Sequence, residues 1–291
     1  MLNKNVVNFI GCDAEYDESS VVLFGVPFDS TTSFRPGARF GPSAARNESY
    51  GIETYSPYLD EELTDFKVFD SGDLELPIGD SRMVLDMIEE REKAILDSSK
   101  LPFMVGGEHL VTLGAIRAVA AKYPDVNIIH FDAHADLRQD YLGVELSHAC
   151  VMRRASELLG KGRIYQFGIR SGDKSEFVRD DDDKKRIVTT RFGFEGLDNT
   201  VKELAGKPVY FSLDLDILDP SILPGTGTPE AGGVGFIVLL RAIETIFAGN
   251  AEIVGMDVCE LAPNLDPSGV STAVTCKLIR EMLLGYLSKN K

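Results

Sequence analysis

Short apolar runs alternate with longer amphipathic segments along most of this chain. The runs are nearly continuous in Val, Ile, Leu and Phe, which is typical of strands buried on both faces of a sheet. We predict strands at Val21–Val26, Lys67–Asp70, Pro102–Val105, Asn127–Phe131, Arg163–Gly168, Arg186–Thr190, Pro208–Leu213 and Glu252–Met256. Helical spacing predicts helices at Ser81–Ser98, Leu110–Lys122, His148–Leu159, Asp198–Leu204, Gly235–Ala248 and Ser271–Leu287. This alternation predicts an α/β fold, a parallel sheet with helices on both faces.

Composition narrows the choice of protein class. The 291 residues are 44% hydrophobic, which is enough for one large core, so we expect a single domain over residues 1–291. The net charge of −16 argues against nucleic acid and anionic membranes as partners, because both bind basic surfaces. No apolar stretch is long enough to cross a bilayer, and residues 1–18 lack the pattern of a secretory signal. The four cysteines have no paired spacing, so we expect reduced thiols and a cytoplasmic protein.

Three polar clusters each follow a predicted strand and together hold six potential metal ligands. The clusters are Gly106–His109, Asp132–Asp136 and Ser212–Asp216, and their ligands are His109, Asp132, His134, Asp136, Asp214 and Asp216. Parallel sheets bind ligands beyond the carboxyl ends of their strands, so we expect these side chains to converge. One such cluster could be a helix cap or a buried core histidine. Three clusters in the same sheet favour a metal site.

Converging carboxylates require cations, because two like charges about 4 Å apart repel by roughly 4 kcal/mol at an effective dielectric of about 20. The oxygen-rich donor set suits Mn²⁺ better than a thiolate-bound Zn²⁺. The alternate spacing within the clusters would let Asp136 and Asp216 each bind one ion, while Asp132 and Asp214 bridge two. We therefore expect a pair of divalent ions, which can lower the pKa of a shared water towards about 7.

Three further residues lie beside these clusters. His130 is inside the strand that precedes the second cluster, and we interpret it as a structural or supporting residue. His148 follows a short polar segment and opens the next predicted helix, where it could act as a general acid or proton shuttle. Glu260 lies beyond the last predicted strand and could pair with a planar cation, or be an ordinary solvated acid.

Two other segments have distinctive compositions. Pro224–Gly235 is too rich in glycine for a helix or strand and follows the third cluster, so we interpret it as a wall of the site. It does not match the glycine fingerprints of phosphate-binding loops. The charged run Asp180–Lys185 is typical of a solvated turn.

Together these residues resemble the ureohydrolase family of arginases, agmatinases and their relatives. The resemblance is carried by Gly106–His109, Phe131–Asp136, Ser212–Pro220, Pro224–Pro229 and Arg35–Ser43. It implies an arginase-like three-layer α-β-α fold whose central, mostly parallel sheet has roughly eight strands. It also implies two Mn²⁺ ions per subunit and a homo-oligomer, either a trimer or a hexamer.

The resemblance further implies a division of roles within the site. His109, Asp132, Asp136 and Asp214 would hold one Mn²⁺, and Asp132, His134, Asp214 and Asp216 would hold the other. A bridging hydroxide would attack the guanidinium carbon of the substrate. Asp136 would help to move a proton to the leaving amine, His148 would serve as acid or proton shuttle, and Glu260 would orient the guanidinium.

The segment after the second cluster looks most like the agmatinase branch. It reads Leu137–Tyr141, without the Asn that arginases have there to receive an α-amino acid. Agmatine carries a guanidinium at one end and an ammonium at the other, and Asp173 or Glu176 could meet the ammonium. Its products would be putrescine and urea. Ala135, where agmatinases often have Thr, does not decide the question, because alanine also occurs there in arginases.

Other functions stay open on the sequence alone. Arginine, guanidinobutyrate, guanidinopropionate and formiminoglutamate are alternative substrates, since Arg138 and Arg170 could bind a substrate carboxylate. A single-zinc deacetylase on a related fold is a more distant alternative, because one ion would leave several of the ligands unused.

Overall fold

The computed structural model describes residues 5–178 and 187–290. The charged run Asp180–Lys185 and the predicted first residue of one strand, Arg186, lie outside these residues. No helix in the described part of the chain is long and apolar enough to cross a membrane.

A single sheet of eight strands forms the centre of the molecule. In chain order the strands are β1 Val21–Gly25, β4 Val68–Asp73, β5 Leu101–Val105, β6 Asn127–Phe131, β7 Ile164–Ile169, β8 Ile187–Arg191, β9 Pro208–Asp214 and β10 Glu252–Cys259. Their spatial order is β4-β1-β5-β10-β9-β6-β7-β8, and every neighbouring pair is parallel. The expected parallel sheet is therefore confirmed, and it matches the eight predicted strands to within three residues at their ends.

Helices cover both faces of this sheet. They are α1 Gly41–Glu48, α2 Ser81–Asp97, α3 Thr112–Lys122, α4 Val151–Leu159, α5 Lys174–Phe177, α6 Leu197–Glu203, α7 Phe236–Ala248 and α8 Val270–Lys289. Helices α1 and α5 were not predicted from the sequence, and neither was a small hairpin of β2 Tyr55–Ser56 and β3 Glu61–Glu62. Helix α1 begins Gly-Pro-Ser and is short, so its apolar pattern is weak, whereas proline is well tolerated in a first helical turn.

Two hydrophobic clusters separate the three layers. Alternate strand residues point to opposite faces, so Val21 and Leu23 pack into one cluster while Val22 and Phe24 pack into the other. The first cluster contains buried residues of α1, α6, α7 and α8, and the second contains those of α2, α3 and α4. The four cysteines are buried free thiols, as expected.

Candidate metal centre

The carboxyl ends of four adjacent strands place the predicted ligands side by side. In the sheet, β5, β10, β9 and β6 are neighbours, and each is followed at once by a polar segment. These segments contain His109 after β5, Glu260 after β10, and the aspartate clusters after β9 and β6. Residues that are up to 151 positions apart in the sequence therefore meet at one edge, because all the strands run in the same direction.

His109 lies at the centre of one half of the site. Its Nδ1 is 3.1 Å from an oxygen of Asp132, 3.4 Å from one of Asp136 and 3.2 Å from one of Asp214. All four side chains are buried. These residues are the set expected for the first ion.

His134 lies in the other half. Its Nδ1 is 2.8 Å from Asp216 Oδ2 and 3.6 Å from Asp132 Oδ1. The two oxygens of Asp132 thus face different histidines, Oδ2 towards His109 and Oδ1 towards His134. This placement suits a carboxylate that bridges two cations, and the groups His109, His130, Asp132 and Asp132, His134, Asp216 are each compact enough to hold a metal ion.

Backbone amides fix the carboxylates in place. Asp132 Oδ1 accepts the N–H of His134 at 2.6 Å, and Asp214 Oδ1 accepts that of Asp216 at 2.9 Å. Asp216 Oδ1 accepts the N–H of Ala133 at 3.1 Å, which links the clusters after β6 and β9. Each of these aspartates still directs its other oxygen towards a histidine.

The electrostatics of the cluster fit a cationic occupant. Burial raises the pKa of Asp214 well above its usual value, and the charges of Asp216 and Asp132 raise it further. Burial and the charge of Asp132 raise the pKa of Asp136 to about 7. Although burial opposes it, hydrogen bonds from the nearby histidines hold the pKa of Asp132 well below its usual value. Divalent cations would relieve this repulsion.

A hydrogen-bonded chain supports His109 from the protein interior. Its Nε2 is 2.9 Å from Ser212 Oγ, which donates at 2.8 Å to Asp257 Oδ1. The other oxygen of Asp257 accepts hydrogen bonds from the hydroxyls of Tyr210 and Thr112 at 2.7 and 2.9 Å. Such outer partners fix the tautomer and orientation of a ligating histidine. Sequence reasoning assigned no role to Asp257, although its apolar strand context was a usable signal.

His130 supports the second cluster, as the sequence analysis interpreted it. Its Nε2 is 2.9 Å from Asp132 Oδ2, and its Nδ1 is 3.1 Å from Gln166 Nε2. Burial lowers the pKa of His130. Gln166 also donates to the carbonyl of Ala135 at 2.7 Å and thereby connects β7 to the ligand segment.

The structure brings Glu260 to the centre beside His109. Glu260 Oε1 accepts the N–H of His109 at 2.8 Å, and its side chain is buried. Burial, together with the charge of Glu108, raises its pKa well above the usual value. Both Asp136 and Glu260 have left-handed backbone conformations, with φ of 54° and 70°, which are uncommon for residues other than glycine. Such conformations concentrate at functional sites.

His148 reaches the site through the loop after β1. Its Nε2 is 3.0 Å from Ser33 Oγ, and its backbone N–H donates to Thr31 Oγ1 at 3.1 Å. Thr31 in turn donates through both its N–H and its hydroxyl to the buried carboxylate of Glu108, at 2.9 and 2.5 Å. Burial lowers the pKa of His148 to about 4, so its imidazole is neutral at pH 7. Neither Ser33 nor Thr31 was identified from the sequence, because their loop has no pattern of its own.

The two residues predicted to meet a distal amine have different surroundings. Both oxygens of Glu176 are used inside the protein, where they accept the N–H groups of Leu137 at 2.8 Å and Asp173 at 2.5 Å. These contacts do not support a role for Glu176 in binding the amine. Asp173 is exposed and caps α5, with one oxygen accepting hydrogen bonds from Ser175. Its predicted role stays a prediction.

Comparisons with known proteins agree with this geometry. The model of the arginase family matches residues 19–285. The chain belongs to the arginase family. Agmatinase from Bacillus subtilis (strain 168) is 47% identical over 279 residues, which are 96% of this chain and 96% of that protein. An N(1)-aminopropylagmatine ureohydrolase from Thermococcus kodakarensis is 38% identical over 281 residues, covering 94% of this chain and 93% of its own length.

Solved structures of this family share the same fold. A crystal structure from Clostridium difficile superimposes with a TM-score of 0.92 at 48% identity, covering 95% of this chain and all of the other. The predicted ureohydrolase resemblance and the arginase-like three-layer fold are therefore confirmed.

Proposed function

We propose that this protein is an agmatinase, a binuclear Mn²⁺ hydrolase that converts agmatine and water into putrescine and urea. Membership of the arginase family, with the agmatinase of Bacillus subtilis 47% identical over almost the whole chain, supports hydrolysis of a guanidino C–N bond. The single observation that carries the proposal is the pair of ligand sets joined by Asp132, each oxygen of which faces a different histidine.

The residues present fit two divalent cations. His109, Asp132, Asp136 and Asp214 would hold one, and Asp132, His134, Asp214 and Asp216 would hold the other. When bound, such a pair lowers the pKa of an intervening water from about 15.7 towards roughly 7 and so supplies hydroxide near neutral pH.

The surrounding side chains would bind the guanidinium and move protons. Glu260, buried and fixed by the N–H of His109, presents an acid to a planar cation, for which charge-assisted pairing is strong. Asp136 would pass a proton to the leaving amine. His148, whose imidazole is neutral at pH 7, would act as a proton shuttle between the site and the loop after β1.

The two arginines that could bind a substrate carboxylate have partners within the protein. Arg170 donates to the backbone carbonyls of Asp216 at 2.7 Å and Glu230 at 2.9 Å, among others, so its guanidinium is occupied within the protein. Arg138 stacks on Tyr141 and lies 3.7 Å from the carboxylate of Glu176. Both arginines that could have bound a substrate carboxylate are therefore already paired, which supports agmatine rather than guanidinobutyrate or formiminoglutamate.

A urea assay tests the proposal directly. Protein loaded with Mn²⁺ should release urea from agmatine much faster than from arginine, guanidinobutyrate or guanidinopropionate at equal concentrations. Equal or faster release from any of these compounds would contradict the agmatine assignment while leaving the reaction class intact. N(1)-aminopropylagmatine should be included, because a relative bearing that name is 38% identical.

Metal analysis tests the cofactor. We expect two Mn²⁺ per subunit, whereas a single-zinc deacetylase-like enzyme would bind one Zn²⁺ and release acetate from acetylated amines. The second ligand set, centred on His134 and Asp216, argues against that alternative.

We also infer the setting of the enzyme from the family resemblance. A role in polyamine biosynthesis follows from putrescine as product, and the absence of paired cysteines is compatible with the cytoplasm. Homo-oligomers, either trimers or hexamers, are expected. Light scattering of the purified protein would measure the subunit number.

A further inference from the structure

The two histidines of the metal centre differ in what supports their second nitrogen. His109 is 1% exposed, and its Nε2 is 2.9 Å from the hydroxyl of Ser212. His134 is 23% exposed, and its Nε2 faces Glu230 Oε1 at a distance of 3.9 Å. A histidine that binds metal through one nitrogen almost always gives the N–H of the other to a carboxylate, a carbonyl or water. For His134, Glu230 is the acid that lies in this direction.

Glu230 is held in this position by two residues at the end of β7. Ser171 Oγ donates to Glu230 Oε1 at 2.7 Å, and Arg170 Nη2 donates to the backbone carbonyl of Glu230 at 2.9 Å. Ser171 also forms a parallel bridge with His134. The histidine and the hydroxyl that anchors the acid are therefore fixed to one another through the backbone.

Arg170 connects the same acid to the metal ligands. Its guanidinium also donates to the carbonyl of Asp216 at 2.7 Å. One arginine therefore fixes both the loop that carries Glu230 and the loop that carries Asp216. A Cβ added at Gly233 would lie 2.7 Å from Arg170 Nη2, which shows how closely the glycine-rich loop packs on this guanidinium. A loop fixed at this many points places its carboxylate reproducibly.

We propose that Glu230 is a positioning residue that accepts the Nε2–H of His134 and so holds its Nδ1 towards the second ion. The proposal rests on the proposed binuclear metal function. The side chain of Glu230 is 40% exposed, so it has room to close the 3.9 Å separation by a change of rotamer. The carboxylate of Glu230 would stabilise the proton on Nε2 of His134. The Nδ1 atom of the same ring is then unprotonated and can bind the ion.

The test is a Mn²⁺ titration of metal-free, full-length protein by calorimetry, with the two binding steps fitted separately. Glu230→Ala should weaken one of the two ions by about 10–100-fold and leave the other within about twofold. Glu230→Gln, which keeps the shape without the charge, should give an intermediate loss, and Ser171→Ala a smaller loss in the same step. Glu90→Ala, an exposed acid on α2, is the matched control and should change neither step.

The outcomes separate this inference from the proposed function. Wild-type protein that binds no divalent cation would overturn both. Two ions in the wild type with unchanged affinities in Glu230→Ala and Ser171→Ala would overturn only the role of Glu230. A raised KM for agmatine with unchanged metal binding would also overturn it, and would assign Glu230 to the substrate. Thermal unfolding of the metal-free variants should match the wild type, which distinguishes lost ligation from a disturbed fold.

Discussion

The two halves of the metal centre differ in how deeply their histidines are buried and in which groups support them. The half around His109 is sealed in the interior, where Ser212, Asp257 and the hydroxyls of Tyr210 and Thr112 form a saturated network. The half around His134 opens towards solvent and relies on an acid carried by a loop. A buried network is rigid but costly to disturb, whereas a partly exposed carboxylate adapts at little cost to folding. We therefore expect mutations in the first half to affect stability and those in the second to affect metal binding alone.

The largest effect should follow from removing Asp132, the predicted shared ligand whose two oxygens face His109 and His134. Asp132→Asn should lower the rate of urea release from agmatine by more than about 100-fold. This loss exceeds the one typical of mutating residues that only support metal ligands. The variant should still fold, because the substitution removes one negative charge from a crowded set of carboxylates. Measured Mn²⁺ stoichiometry should fall below the wild-type value, and a variant that retains full stoichiometry and activity would show that the halves are independent.

The next largest effect should distinguish the halves directly. Asp257→Asn should lower the free energy of unfolding of the metal-free protein by about 1–3 kcal/mol, because an NH2 donor replaces one carboxylate oxygen and leaves at least one buried hydroxyl without its acceptor. Glu230→Gln should change it by less than about 0.5 kcal/mol. Denaturant unfolding measures both, and equal losses in the two variants would remove the distinction that we draw.

Lowering the pH should have a smaller effect on stability, which acts through His148. The pKa of His148 is lowered to about 4 in the folded protein and is about 6.5 when unfolded, so the unfolded chain binds more protons between these values. Stability from this residue is present above about pH 6.5 and is lost as the pH falls towards 4, amounting to at most about 2 kcal/mol at pH 5. Unfolding of metal-free wild type and His148→Gln at pH 7 and pH 5 should show a shallower dependence in the variant.

The smallest effect concerns the substrate tail. Asp173 is exposed, so solvent weakens any ion pair between it and the ammonium of agmatine. Asp173→Asn should raise KM for agmatine by no more than about fivefold and leave kcat unchanged. Steady-state kinetics checks this, with Asp86→Asn on α2 as an exposed control. No change in KM would exclude Asp173 from the pocket mouth.

The sequence predicted the ligands of this centre better than their supports. Every predicted ligand follows an apolar strand of the sequence analysis, and a parallel sheet brings such positions together whatever the details of packing. The supporting contacts have no such rule. Ser212 meets Asp257 across 45 positions and Ser171 meets Glu230 across 59, and each contact depends on register and loop path. The apolar strand around Asp257 marks it as an unusual acid, but nothing local identifies the histidine that it supports.

Helix ends and loops show the same limit. The predicted helix at His148–Leu159 begins in the structure with a turn of 3₁₀ helix over His148–Cys150 before α4. Ser147 caps that turn by accepting the N–H of Ala149. Glu176 was one of two acids predicted to meet the distal ammonium of agmatine. The structure instead turns it inwards, where it satisfies backbone amides that the sequence cannot reveal.

The left-handed backbone at Asp136 and Glu260 carries a consequence for any effort to make this protein more robust. Glycine relaxes such a conformation, so substitutions to glycine at these two positions would be candidates in a screen for thermal tolerance alone. Selection for thermal stability alone would therefore enrich variants that are more stable than the wild type. These variants would lack the carboxylates that we assign to proton transfer and guanidinium binding. At these two positions, thermal stability and catalytic turnover would have to be selected together.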